Sequence, residues 1–132
     1  MPSPAIDVFH DGYVPVVANA FCVVGGFRLL VYNALPGSLL LGAYDGDDLR
    51  FVGVVNGFTL KRRVELLGDM QPYVSDLAGH PWEEEDFGYE WVPLRPELVC
   101  EINLVAAPWL HFVRWRHDVG PDECSVAQFA MT

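Results

Sequence analysis

Lysine is almost missing from this sequence. Lys61 is the only one, and Lys and Arg together number 8 against 18 Asp and Glu, for a formal net charge of −10. Affinity for nucleic-acid phosphates comes mostly from Lys and Arg, so the balance argues against a simple nucleic-acid binder and weak binding is the most to expect. The plain reading of the excess acid is solubility, because like charge keeps a small apolar domain apart from its copies. Long apolar runs are also missing. None approaches the roughly 20 residues that span a bilayer, so no membrane partner is expected. The opening MPSPAIDVFHDG has neither the basic start nor the apolar centre of a secretion signal, and a cytoplasmic location is expected.

Cysteine is sparse too. Cys22, Cys100 and Cys124 are far apart, with no C-x-x-C pair, and Cys22 and Cys100 sit inside apolar runs as small core residues. His10, His80, His111 and His117 form no H-x-x-x-H or H-E pair. No metal, cofactor or catalytic residue is therefore expected.

What is present is apolar. Of 132 residues, 52% are hydrophobic, enough to build the core of one domain. Residues 1–12 read as a loose lead-in, held irregular by Pro2 and Pro4, and residues 13–129 as the domain. Three strand-like runs come first: Phe21–Val31, Ser38–Tyr44 and Leu49–Val55. Pro36-Gly37 and Asp45-Gly46-Asp47-Asp48 separate them, as turns separate consecutive antiparallel strands. Gly25-Gly26 inside the first run predicts a bulge or sharp coil that lets the sheet curl.

After Gly57 the period changes. Thr59 is a plausible N-cap for LKRRVELLGDM, with Leu60, Val64, Leu66 and Leu67 as its apolar face and Gly68 as its stop. Lys61, Arg62 and Arg63 would lie on or beside the outer face, as a solvated run or as phosphate contacts. Residues 71–96 read as irregular. They carry Trp82, then Glu83, Glu84, Glu85 and Asp86, then Trp91; the aromatics are expected to pack on the barrel, and the alternative is a candidate interaction loop. Glu97–Val105 and Trp109–Trp115 alternate as a fourth and a fifth strand, and Glu123–Phe129 closes the chain with a helical turn. The order is β-β-β-α-β-β, all-β but for one short helix between strands 3 and 4. That is the order of an OB-fold, a five-stranded Greek-key barrel.

Particular stretches carry more than a fold. CVVGGF at 22–27, GSLLLGAYDGDDLRFVGVVNGFT at 37–59, EWVPLRPELVCEI at 90–102, RWRHD at 114–118 and PDECS at 121–125 follow one another in a family's order. Together they resemble the C-terminal OB-fold domain of ATP-dependent DNA ligases, especially the short bacterial ones. In that family a nucleotidyltransferase domain precedes this one and carries the lysine that becomes adenylylated. Nothing in this chain corresponds to it, so the resemblance implies no catalysis by this chain alone.

The family's OB domain supplies cations that grip DNA and a terminal R-x-D-K motif that reaches over the nucleotide. Arg116 and Asp118 match the motif's Arg and Asp, with Arg114 just before them, but Val119 stands at the Lys. Tyr13 and Pro15 stand where a K-x-K pair would be. Arg114, Arg116 and Asp118 are thus a candidate remnant of a phosphate-contacting motif. The other reading pairs the arginines with Asp118 and Glu123.

Three functions follow as expectations. The first is a non-catalytic ligase-like domain in DNA repair or joining, accessory to a separate nucleotidyltransferase domain. The second is an acidic interaction module for a basic protein, using the 82–91 loop. The third is a weak single-strand nucleic-acid binder, stacking bases on Tyr44, Trp109, Phe112 and Trp115.

Overall fold

Asp45-Gly46-Asp47-Asp48 makes the tight hairpin its composition predicts. In the computed structural model, which describes residues 19–30, 32–104 and 110–129, Asp45 pairs with Asp48 and Gly46 opens the turn at φ 65°. Glycine reaches that left-handed angle without the Cβ clash other residues meet. The strands it joins are β2 (Pro36–Asp45) and β3 (Asp48–Val55). β1 (Asn19–Leu29) precedes them, and α1 (Leu60–Met70) follows, leading into a 3-10 turn at Gln71–Tyr73. β4 (Trp91–Pro93), β5 (Val99–Asn103) and β6 (His111–Trp115) complete the sheet, and 3-10 turns at Pro121–Glu123 and Val126–Phe129 end the described chain.

The sheet order is β3-β2-β1-β5-β6, antiparallel throughout, with β4 also paired to β1. β1 is the organising strand. One edge pairs with β2, while the other pairs first with β5, through Asn19–Val23, and then with β4, through Gly26–Arg28. A register shift falls between Val24 and Gly26, where the paired glycines predict it.

The OB-type meander and its helix stand as expected, with two corrections. β4 is a sixth strand, inside a stretch expected to be irregular. Among the described residues the sheet does not close into a barrel, since no ladder joins β3 to β6. Side chains of α1 and its lead-in hold β6 instead. Phe58 meets Phe112 edge-on at 6.0 Å, Arg62 lies over the Phe112 ring at 5.2 Å, and the Trp115 indole donates to Asp69 at 2.9 Å.

Helix α1 starts where expected: the Thr59 hydroxyl accepts the Arg62 N–H at 3.2 Å. It runs through Gly68 to Met70, so Gly68 is not its stop. Its buried side chains are Leu66 and Met70, while Leu60 and Val64, expected on the apolar face, are 64% and 55% exposed.

The domain has two cores. The inner one gathers Cys22, Val24 and Phe27 from β1, Leu39 and Leu41 from β2, Val52 and Val55 from β3, and Cys100 and Ile102 from β5, with Leu66 and Met70 from α1. The outer one lies on the opposite face. Val23, Leu40, Leu49 and Val99 are covered there by Trp82, Phe87, Tyr89 and Trp91. β2 is buried on both faces, so its Leu39-Leu40-Leu41 run does not alternate.

Candidate functional site

β5 and β6 assemble the candidate phosphate motif. Their register sets Glu101 opposite Arg114, and Arg116 follows directly after β6. Arg116 forks onto Asp118, Nε donating to Oδ1 at 2.9 Å and Nη2 to Oδ2 at 2.8 Å. Its Nη1 donates to Glu101 at 3.1 Å, and the guanidinium lies 4.9 Å from the Phe21 ring centroid. Arg114 reaches the same Glu101 oxygen at 3.6 Å. Asn19 donates to the other Glu101 oxygen at 2.6 Å.

A planar fork binds a carboxylate as it binds a phosphate, so a fork closed on Asp118 offers little to an outside anion. Two guanidiniums face two carboxylates, and no formal charge is left over. Burial alone would raise the Glu101 pKa, but hydrogen bonds from Asn19 and Arg116, and the charges of Arg114 and Arg116, outweigh it and hold the carboxyl below its ordinary range. The Arg116 hydrogen bonds bring Asp118 down to about 2, and the pairs with Asp118 and Glu101 hold Arg116 more firmly protonated than usual.

Glu101 is the residue that sequence reasoning passed over. Its place on the mixed face of a strand was visible, but its arginine partners depend on cross-strand register. Glu123, expected as an arginine partner, instead accepts the Gly120 N–H at 2.7 Å.

The basic run of α1 does not act as one cluster. Arg62 pairs with Glu65 at 3.2 Å and covers Phe112, turning toward β6. Arg63 is half-buried, its Nε shielded from solvent with no hydrogen-bond partner, and Lys61 is exposed. Elsewhere Arg50 pairs with Asp45 and Arg95 with Glu97, while Arg28 stacks over Tyr89 at 4.4 Å. Among the described residues, only Arg28, Lys61 and Arg63 have no carboxylate partner.

The acidic loop is a strap across the outer face of the sheet. Trp82 packs on the domain, the first of the two readings of the loop's aromatics, and not as a surface anchor: it is 2% exposed and donates its indole N–H to the Leu49 carbonyl at 2.8 Å. The floor beneath it is bare backbone: a Cβ on Gly25 would lie 2.4 Å from the indole, and one on Gly42 2.7 Å. Gly26 does the same for Trp91, at 2.5 Å.

His80 pins the strap. Its Nε2–H donates to the carbonyls of Gly25, at 2.8 Å, and Leu94, at 3.0 Å, while Nδ1 accepts the Trp82 N–H at 2.9 Å; these partners define the tautomer. Glu83, Glu84, Glu85 and Asp86 all remain at the surface. Two are tied locally, Glu83 accepting the Gly79 N–H at 3.1 Å and Asp86 the Gly88 N–H at 2.9 Å.

Of the rings considered for base stacking, Phe112 and Trp115 pack on the inner core 5.1 Å apart, Tyr44 is half-buried, and Trp109 lies outside the described residues. Residues 1–12, Tyr13, Pro15 and the 106–108 connection also lie outside them. The thiols of Cys22, Cys100 and Cys124 are buried, and burial pushes all three pKa values up, that of Cys124 to about 12. Among the described residues no three His, Cys, Asp or Glu side chains converge as metal ligands, and no helix is long and apolar enough to cross a membrane.

Known proteins resemble this chain. The family model described as the ATP dependent DNA ligase C terminal region matches residues 33–118. DNA ligase C of Mycobacterium tuberculosis is 36% identical, over 83% of this chain and 38% of its own length. DNA ligase C1 of Mycolicibacterium smegmatis is 33% identical, over 83% of this chain and 36% of its own length. This chain thus spans less than two-fifths of either relative. Among solved structures, the ligase domain of M. tuberculosis LigD superimposes with a TM-score of 0.66 at 24% identity, covering 80% of this chain and 37% of that one, which establishes the shared fold. With the expected segments in order, the expected meander in place and the family match extending to Asp118, this chain belongs to the family of ATP-dependent DNA ligase C-terminal regions.

Proposed function

We propose that this chain is a ligase-type OB domain that does no chemistry alone and serves a nucleotidyltransferase domain supplied separately, in DNA repair or joining. The observation that carries the reading is the family relationship across an intact OB-type sheet. Adenylyl transfer of the family's kind needs a lysine nucleophile set beside a nucleotide. Lys61 is the only lysine, and it projects from an exposed turn of α1. The arginines of the R-x-D remnant are spent on Asp118 and Glu101, so they brace β5 against the turn after β6. The domain's contribution is then to position a partner domain rather than to handle polyphosphate.

The direct test mixes the chain with the nucleotidyltransferase portion of a related ligase C and follows lysine adenylylation and nick sealing. A clear rise in either supports the reading, and no rise in both overturns it. A second reading has one observation in its favour: the strap holds Glu83, Glu84, Glu85 and Asp86 outward on a rigid base, as an acidic surface for a basic protein. Reversing those charges without changing capture of a basic partner would remove it.

A further inference from the structure

The chain has four asparagines, Asn19, Asn33, Asn56 and Asn103. Three of them are held. Asn19 donates its side-chain amide to Glu101 at 2.6 Å, Asn103 donates to the Asn19 Oδ1 at 3.0 Å, and the Asn33 Oδ1 accepts the Leu35 N–H at 3.1 Å. Asn56 is different. It is exposed, it follows the last residue of β3, and its side chain is hydrogen-bonded to none of the described residues. It is also the one asparagine followed by glycine.

Gly57 supplies the rest of the arrangement. Its N–H lies beyond the end of the β2–β3 ladder at Val55 and is bonded to none of the described residues either. Its φ of 86° is left-handed, and no atom lies within 4 Å of where a Cβ would stand. The backbone nitrogen that follows an asparagine can attack that residue's side-chain carbonyl carbon and close a succinimide ring. A side chain on the attacking residue crowds the approach, and glycine has none. A nitrogen that donates in a ladder must first give up its bond, and so must an asparagine amide held by partners. None of these costs applies at Asn56-Gly57.

We propose that Asn56 is a site of spontaneous deamidation, and that its product alters the joint between β3 and α1. The Gly57 nitrogen loses its proton and bonds to Asn56 Cγ; the Cγ–Nδ2 bond breaks, and ammonia leaves with that proton. Water then opens the succinimide at either carbonyl. Opening at Cγ gives aspartate. Opening at the main-chain carbonyl gives isoaspartate, in which the chain runs through the former side chain. The net change is amide and water to carboxylic acid and ammonia, with no other reactant. Either product adds a negative charge to a chain already at −10. Isoaspartate also lengthens the main chain just before the Phe58 ring that meets Phe112 and the Thr59 hydroxyl that caps α1.

The test is peptide mapping of the full chain. Trypsin cleavage after Arg50 and Lys61 releases residues 51–61, FVGVVNGFTLK, in which Asn56 is the one side-chain amide. The protein is aged folded, at neutral and mildly alkaline pH, and in parallel unfolded in guanidinium chloride. Mass spectrometry follows each asparagine, and an isoaspartyl methyltransferase with labelled S-adenosylmethionine reports isoaspartate. In the folded chain Asn56 is expected to convert at least about tenfold faster than Asn19, Asn33 or Asn103, a barrier difference of about 1.4 kcal/mol, and within about tenfold of its own rate unfolded. The rate should climb with pH, because the attacking nitrogen must lose its proton. Asn56→Gln, aged alike and checked for folding by circular dichroism, should lose the mass gain in residues 51–61 and most of the methyl acceptance. Conversion no faster than at the other three asparagines, or slower than in the unfolded chain by more than about tenfold, means that the fold protects Asn56 and overturns the proposal. Methyl acceptance undiminished in Asn56→Gln puts the isoaspartate elsewhere and overturns it too.

Discussion

The two faces of the sheet are buried by different means. The inner face is sealed by strand side chains alternating inward and by Leu66 and Met70 of α1, a construction of aliphatic residues on regular elements. The outer face is sealed by a strap without regular structure over most of its length, through aromatic rings laid on glycine and polar atoms pinned to carbonyls. Aliphatic packing tolerates small adjustments, because many side chains share the load. A ring seated on bare backbone does not, because the floor cannot move away. A loop can therefore be as much a part of the core as a strand, and its acidic outer surface is held in place by what lies beneath.

The largest test of this comparison is Trp82→Ala. It should cost about 3–5 kcal/mol in urea denaturation, as a buried tryptophan does, and match the roughly 2–5 kcal/mol of Leu41→Ala on the inner face. A cost under about 1 kcal/mol would make the strap a loose cover rather than a core. Next is Gly25→Ala, whose new Cβ would sit 2.4 Å from the indole and should cost roughly 1–3 kcal/mol by overpacking. That penalty should nearly vanish in the Trp82→Ala background, since contacting sites are not additive, and equal costs in both backgrounds would break the glycine-floor account.

A smaller effect, of opposite sign, is expected away from both cores. Gly68 is a helical glycine with open space where a Cβ would go, so Gly68→Ala should raise stability by about 0.5–1 kcal/mol, seen as a higher urea midpoint. The smallest concerns acid. Asp118 has its pKa near 2 in the folded domain, below the unfolded value of about 3.9, so its pairing stabilises the fold above that unfolded value. As pH falls from about 4 to about 2 the unfolded chain takes up the proton first, and the contribution is lost through that window. The Asp118 side chain is 68% exposed, which keeps the amplitude small. Asp118→Asn should flatten that limb in urea midpoints measured across the same range.

The inner face was readable residue by residue, the outer face only as aromatics packing on the domain, for physical reasons. Apolar runs bounded by Pro, Gly and Asp locate β1, β2 and β3, period-2 alternation locates β5 and β6, and a Thr cap locates the start of α1, each to within a few residues. Trp82 gives no such signal. Its neighbours Pro81 and Glu83 are exposed, and only the meeting of Gly25, Gly42 and the Leu49 carbonyl explains its burial. Gly25-Gly26 was legible as a bulge, but the rings that require those glycines come more than fifty residues later. Leu60 and Val64 mislead in the opposite way, because helical spacing says that residues share a face and not which face meets the core.

Composition and order were sufficient for the class of the protein: the acidic balance, the β-β-β-α-β-β succession and the ordered ligase-like segments are properties of the chain that no packing alters. The use made of its few cations was not contained there. Whether Arg116 meets Asp118 and Glu101 or stands free depends on which residues two strands bring opposite each other. Whether Lys61 faces water, and Arg63 only in part, depends on how α1 is rolled against β6. Charge is counted along a chain, but it is compensated across space, and so the spent arginines appear only once the sheet is folded.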